Sequence, residues 1–324
     1  MDNLRDKRVL VTGAAGFVGA NLLKRVLRHG AQVHAMVRAA TPLWRIKDDL
    51  TPLTLHTADL TDRVQLRSVV EIARPQFVFH LAAPGGYPTT PEARAAFLAS
   101  TVLGTANLLE ALAPQTYERL VVTGSSLEYG TSATPHRETD RLAPTTFRGV
   151  GKAAASLLCL QHARTERRPI TVLRLFSVYG AWESPARLIP TVIRAALRGD
   201  EMALTAPGVR HDFVFVDDVV DAMLLAAVAD RADGEVINVG SGHQWSNEDV
   251  VGAAQRLTGR AVRVRPGEYP AKTADAAYWL ADIEKAAAIL GWQPSHDLSA
   301  GLRKTIEWFR TQEHIPDRVM TVPR

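Results

Sequence analysis

Cysteine is almost missing from this chain. The one thiol, Cys159, has no partner for an internal disulfide, and its place in the helical-looking stretch LLCLQHA reads as a small buried apolar side chain rather than a reactive group. His80, His136, His211 and His243 show no metal-ligand spacing with one another or with that cysteine, so no metal is expected. A charge excess is missing as well. The 38 Lys and Arg against 34 Asp and Glu leave +4, and the basic residues are scattered. That excludes a nucleic-acid surface and reduces the pI near 9.3 to an Arg-rich habit that mildly favours anionic ligands. No apolar run is long enough to span a bilayer, and the opening MDNLRDKRVLV lacks the apolar region of a signal peptide. A cytoplasmic protein with no membrane partner is the expectation. Tandem repeats, low-complexity tracts and long linkers are also missing. What remains is 324 residues at 46% hydrophobic content, enough to bury a large core in one composite domain or two coupled ones.

The stretch Arg8 to Gly19, RVLVTGAAGFVG, organises the rest. A short apolar run ends in Thr12-Gly13, and an amphipathic pattern from Phe17 to about His29 is stopped by Gly30. Strand, tight turn and helix follow in the order that a dinucleotide-binding unit requires. Gly13 allows the turn, Gly16 lets a phosphate approach bare backbone, and Gly19 lets the helix lie close on the sheet. A pyrophosphate then sits at the helix N-terminus, where unpaired N–H groups and the macrodipole favour negative charge.

Further strands are expected at Gln32 to Val37, Leu53 to His56, Phe77 to Ala82, Leu120 to Thr123 and Thr171 to Leu175. Helices are expected from Asp59 to about Ala73, Pro91 to Ala113 and Gly149 to Arg164. Near-continuously apolar strands alternating with helices predict an α/β fold, a doubly wound parallel Rossmann sheet. Residues 1–176 form the dinucleotide-binding domain. Residues 177–324, punctuated by Pro185, Pro190, Pro207 and Gly208, form a smaller α/β substrate lobe, with a late strand near 235–239 returning to the sheet. Surplus apolar surface on the helices around Ala95 to Leu112 and Ala153 to Leu160 suggests a homodimer, with deep burial in the monomer as the alternative.

The second strand ends in Val37-Arg38, without the acid that holds the ribose hydroxyls of NAD. An Arg there suits a 2′-phosphate, so NADP(H) is favoured and NAD(H) is the alternative. Asp59 reads either as a helix cap or as the group that meets the adenine edge. Tyr87, in the loop Pro84-Gly85-Gly86-Tyr87-Pro88 after the fourth strand, faces the substrate side.

TGAAGFVG at Thr12, DLTD at Asp59, HLAA at His80, GTANLLEA at Gly104, GSSLEYG at Gly124, LRLFSVYG at Leu173, RHDFVFVDDVVDA at Arg210, NVGSG at Asn238 and LGWQP at Leu290 cover nearly the whole chain. In this order they resemble the extended short-chain dehydrogenase/reductase family of nucleotide-sugar epimerases, dehydratases and ketoreductases. The resemblance implies a nicotinamide cofactor and a nucleoside-diphosphate sugar. It places cofactor contacts at Gly13, Gly16, Phe17, Val18, Leu60, Leu81, Ala82 and Ala83. Lys152 would hold the nicotinamide ribose and Ser125 the sugar's reacting oxygen. Arg210 and Arg265 fall where relatives contact the diphosphate, and Ser126 and Ser177 fall on the substrate side.

One departure matters most. The family's Tyr-x-x-x-Lys becomes Arg148-Gly149-Val150-Gly151-Lys152, and neither Arg148 nor Phe147 can serve as a phenolic acid. Thr101 and Ser177 also stand where relatives commonly carry Asn. A nascent alkoxide needs a proton from a group within hydrogen-bond reach. Tyr87, Glu128 and Tyr129 are the candidates, with Tyr87 leading, Ser125 as a relay and Arg148 free to grip an anionic substrate group. The expected activity is NADP(H)-dependent 4-ketoreduction of a nucleoside-diphosphate 4-keto-6-deoxysugar. An NAD-dependent epimerase that keeps its cofactor, or a catalytically silent dinucleotide-binding relative, are the alternatives.

Overall fold

The computed structural model describes residues 4–270 and 278–311. Seven parallel strands form its central sheet. Six come in chain order, β1 (Arg8–Thr12), β2 (Gln32–Val37), β3 (Leu53–Thr57), β4 (Phe77–His80), β5 (Arg119–Ser125) and β6 (Ile170–Leu175), and the late strand Val236–Val239 closes one edge. Across the sheet the order is Val236–Val239, β6, β5, β4, β1, β2, β3. The order reverses between β1 and β4, and the crevice outside their carboxyl ends is where open α/β sheets take ligands. β4 is buried at every residue, as a strand with helices on both faces must be, while the edge strand β3 is largely exposed.

One face of the sheet carries α1 (Phe17–Arg28), whose Leu22, Leu23 and Val26 form a single buried stripe. The other carries α2 (Arg63–Ala73), α3 (Pro91–Leu98), α4 (Gly104–Leu112) and α5 (Phe147–Glu166). The cap of α2 is Asp62, whose carboxylate accepts from the N–H groups of Val64 and Gln65. Asp59 has a different task. Its Oδ1 accepts from the Thr61 N–H (2.9 Å) and hydroxyl (2.7 Å), which hold the carboxyl below its ordinary pKa. α5 starts two residues before the expected Gly149, because the Thr146 hydroxyl accepts from the Gly149 N–H at 3.0 Å.

The expected helix from Pro91 to Ala113 is instead two helices joined by a π-turn, Ala99–Leu103, an interruption that tends to mark functional sites. Within the 22 residues Pro91–Leu112 an 18-residue window has a mean hydropathy of 1.4, so by length and composition alone one helix here reaches bilayer-spanning dimensions, which the sequence reading did not find. In this fold it packs against α2 and α5.

The division at residue 176 is not clean. After α6 (Leu188–Arg198), helix α7 (Val216–Val228) packs Val219, Val220 and Met223 into the same core as α1, and Val236–Val239 pairs with β6. The smaller lobe has its own core around Tyr179, Ile193, Met202, Phe215, Val250 and Leu302. Short strand pairs brace it, Ser177–Tyr179 with Phe213–Phe215 and Glu201–Leu204 with Arg263–Pro266.

Candidate active site

The glycine turn forms the floor of the cleft. Gly13 has φ +72°, a region costly for any side chain, and a Cβ there would sit 2.7 Å from the Ala82 nitrogen. A Cβ on Gly19 would drive into the Gly13 carbonyl. Gly16 caps α1 without a side-chain acceptor, so the first-turn amides point to an anion site that this backbone leaves bare. Above them lies a cavity of about 250 Å³. Gly13, Gly16 and Arg38 line it, as do Leu60, Leu81, Ala82 and Ala83, which were expected as cofactor contacts. Phe17 and Val18 form the first turn of α1, and Asp59 stands beside the cavity, near enough to Arg38 for their charges to interact. The bare turn, the open helix end and a lining that, among the described residues, carries no carboxylate all fit a dinucleotide diphosphate.

Behind the turn, polar groups are buried and matched. Thr12 Oγ1 lies 2.7 Å from His80 Nδ1, and Thr105 Oγ1 lies 3.0 Å from His80 Nε2. Because the Thr105 hydroxyl donates to the Thr101 carbonyl at 2.6 Å, it accepts from Nε2–H, which leaves Nδ1 to accept from Thr12. Burial and the nearby Lys152 push the imidazole pKa down to about 3, so it stays neutral. Thr101 itself lies in the π-turn with its hydroxyl buried and unpartnered.

Lys152, one turn into α5, is buried and donates to the Thr123 carbonyl at 2.7 Å. Burial first, then repulsion from Arg148, lowers its pKa to about 8. Ser125 ends β5, with its hydroxyl accepting from the Leu127 N–H at 3.2 Å. Lysine and serine thus stand on adjoining elements around the Thr123-Gly124-Ser125 strand end.

Glu128 is taken up by contacts within the protein. It is fully buried in the turn Ser126–Glu128, where Oε1 accepts from the Ser125 N–H (2.8 Å) and the Ser156 hydroxyl (2.9 Å), and Oε2 pairs with Arg174 Nε at 2.8 Å. Tyr129 is equally committed: Arg174 donates to its hydroxyl at 2.8 Å, which in turn donates to Asn238 Oδ1 at 2.7 Å, and burial raises its pKa. Ser126 accepts from Trp279 Nε1 at 3.0 Å, and Ser177 donates its N–H to the Asp212 carbonyl.

Arg148, four residues before Lys152 on α5, reaches back to the loop after β4, donating to the carbonyls of Pro84 (2.7 Å) and Gly86 (3.1 Å). Burial lowers its pKa; the Tyr87 phenol lies near enough to oppose that shift and Arg187 near enough to add to it. Tyr87 is 41% exposed, on the loop that Arg148 holds. Arg265 is not assembled with these groups. It sits among carboxylates of its own lobe, 2.5 Å from Glu268 and 3.7 Å from Glu201. Arg210 is exposed on the short strand Arg210–His211, with Asp249 near enough to feel its charge. Arg45 and Thr41 line the cavity and were missed, because nothing in the loop sequence signals which way it folds.

A sequence description of the NAD dependent epimerase/dehydratase family matches residues 9–240. The chain belongs to that family. It is accordingly an enzyme of the extended short-chain dehydrogenase/reductase type. Among curated relatives it is 30% identical to the UDP-N-acetyl-alpha-D-glucosaminuronate decarboxylase of Bacillus cytotoxicus, over 95% of this chain and 99% of the relative. The structure of MoeE5 in complex with UDP-glucuronic acid and NAD is 34% identical and superposes with a TM-score of 0.83, covering 94% of this chain and 99% of that one. An epimerase from Methanothermobacter thermautotrophicus is 29% identical with a TM-score of 0.88, covering 96% of this chain and 94% of that one. Among the described residues, no group of three or more His, Cys, Asp or Glu side chains is placed to hold a metal ion.

Proposed function

We propose that this enzyme moves a hydride between NADP(H) and a nucleoside-diphosphate ketosugar, and that the reaction is reduction at C4 of a 4-keto-6-deoxysugar. The observation that carries the reading is the wall of the cleft, which sets Arg38, Thr41 and Arg45 around the glycine turn and, among the described residues, contains no carboxylate. Such a wall suits a 2′-phosphate and offers nothing to chelate the free ribose hydroxyls of NAD. When bound, the dinucleotide supplies the hydride. Lys152 holds its ribose from the floor of the site, and Ser125 hydrogen-bonds the reacting sugar oxygen. Tyr87 gives the proton to the nascent alkoxide, and Arg148 orders the loop that carries it. NADPH consumption with a panel of dTDP-4-keto-6-deoxysugars tests the reading, which fails if no oxidation occurs at enzyme-level concentration.

The names of the relatives support a second reading, an epimerase that retains NAD and returns the hydride to the same sugar. NAD(H) recovered from denatured, freshly purified protein favours it. In either case we place a second copy of the chain on the face where Leu103 on the π-turn and Val150 and Leu157 on α5 are exposed, giving a cytoplasmic homodimer.

A further inference from the structure

Arg45 lies in the loop between β2 and β3 and touches both lobes. Its Nε donates to the Trp182 carbonyl at 2.8 Å, and its Nη1 reaches the Ala15 carbonyl of the glycine turn at 3.5 Å. Its guanidinium also stacks 4.2 Å from the Trp44 ring and lines the same cavity as Gly13 and Gly16. The described residues provide it with no carboxylate partner, and burial lowers its pKa to about 10 with no acid to offset the cost. A half-buried guanidinium satisfied only by carbonyls still has donors for an oxyanion, and the cleft wall gives it none.

The far end of this contact is built with equal care. Trp182 has φ +70°, a region that bulky residues rarely enter. Three neighbours hold it there: the Trp44 ring at 5.6 Å, the Trp308 ring at 5.0 Å and the Lys24 ammonium 5.1 Å above its face. Trp308 belongs to helix Leu298–Thr311 of the smaller lobe, while Trp44 and Lys24 belong to the dinucleotide-binding side. The Trp182 ring is therefore packed between the two lobes.

We propose that Arg45 is a phosphate-binding residue of the cofactor cleft and at the same time the latch that ties the Trp182 segment over it. Dinucleotide binding is then coupled to closure of the smaller lobe. The inference rests on the dinucleotide reading above and adds to it a residue, a charge and a coupling. The anion is either the diphosphate or a 2′-phosphate, both of which a guanidinium binds in the same way.

The test compares wild type with Arg45→Met and Arg45→Lys by calorimetry, using NAD⁺, NADP⁺, ADP and adenosine, with tryptophan emission followed during each titration. Arg45→Met is expected to weaken the phosphate-bearing probes by about tenfold to a hundredfold, the range of a charge-assisted hydrogen bond, and to leave adenosine unchanged. Equal losses for NAD⁺ and NADP⁺ place the contact on the diphosphate; a larger loss for NADP⁺ places it on the 2′-phosphate. Ligand-induced change in emission from the Trp44 and Trp182 cluster is expected in wild type and absent in Arg45→Met. Arg45→Lys keeps the charge, and should recover part of the affinity but not the emission change; it carries the test alone if Arg45→Met does not fold. Dinucleotide affinities within twofold of wild type in the soluble variant overturn the proposal and leave the dinucleotide reading standing. An emission change that survives Arg45→Met overturns the latch. If wild type itself binds no dinucleotide, the functional reading fails and takes this inference with it.

Discussion

Removing the Glu128 side chain is the perturbation whose consequence the structure determines most directly. Glu128→Ala deletes the acceptor for the Ser125 N–H and the Ser156 hydroxyl and leaves Arg174, itself 3% exposed, with no counter-charge. What remains to Arg174 is the Tyr129 hydroxyl at 2.8 Å and its ring at 4.5 Å, neither an anion. Breaking one partner out of a buried pair costs about 3–5 kcal/mol, because the survivor keeps its desolvation cost. For a chain of this size that corresponds to a fall in Tm of about 5 °C. Urea unfolding of Glu128→Ala, Arg174→Met and the double variant gives the coupling directly. The double variant should be more stable than the sum of the two single losses by at least about 2 kcal/mol. A Glu128→Ala protein within about 1 kcal/mol of wild type that has lost turnover would refute this account. It would return Glu128 to the role of proton donor.

Four further outcomes follow from the site. Lys152 loses its proton near pH 8 in the folded protein, so kcat/KM should fall above about 8, and Arg148→Gln, which removes a repelling cation, should move that limb upward; a limb that stays in place contradicts the assignment. The same shift has a sign for stability. Between about 8 and the ordinary value of 10.5 the unfolded chain binds a proton that the native lysine does not, so this group makes stability rise with pH there, and Lys152→Met should abolish that contribution in urea titrations. Arg148→Tyr puts a phenol four residues before Lys152 but frees the carbonyls of Pro84 and Gly86, so turnover should drop at least about tenfold; a gain would show that a phenol serves better there than the guanidinium. Cys159 is buried, with its thiol pKa pushed up to about 12, and should react with a thiol reagent only after denaturation.

The glycine turn, its flanking strand and helix, the parallel sheet and the family membership are legible in the chain because each depends on residues close in sequence. RVLVTGAAGFVG specifies a turn that only glycine can make at position 13, and apolar periodicity alone separates strand from helix. That Arg148 stands four residues before Lys152 is equally a matter of counting along the chain. Tertiary structure decided what the polar residues of the site do. Nothing local to GSSLEYG says that Glu128 meets an arginine 46 residues away, or that Arg45, in a loop without regular pattern, crosses 137 residues of sequence to reach Trp182. The π-turn at Ala99–Leu103 and the membership of α7 in the first lobe belong to the same class. Hydrophobic pattern is read along one element at a time, whereas the partner of a buried charge is chosen by which distant elements the packed sheet brings within about 3 Å.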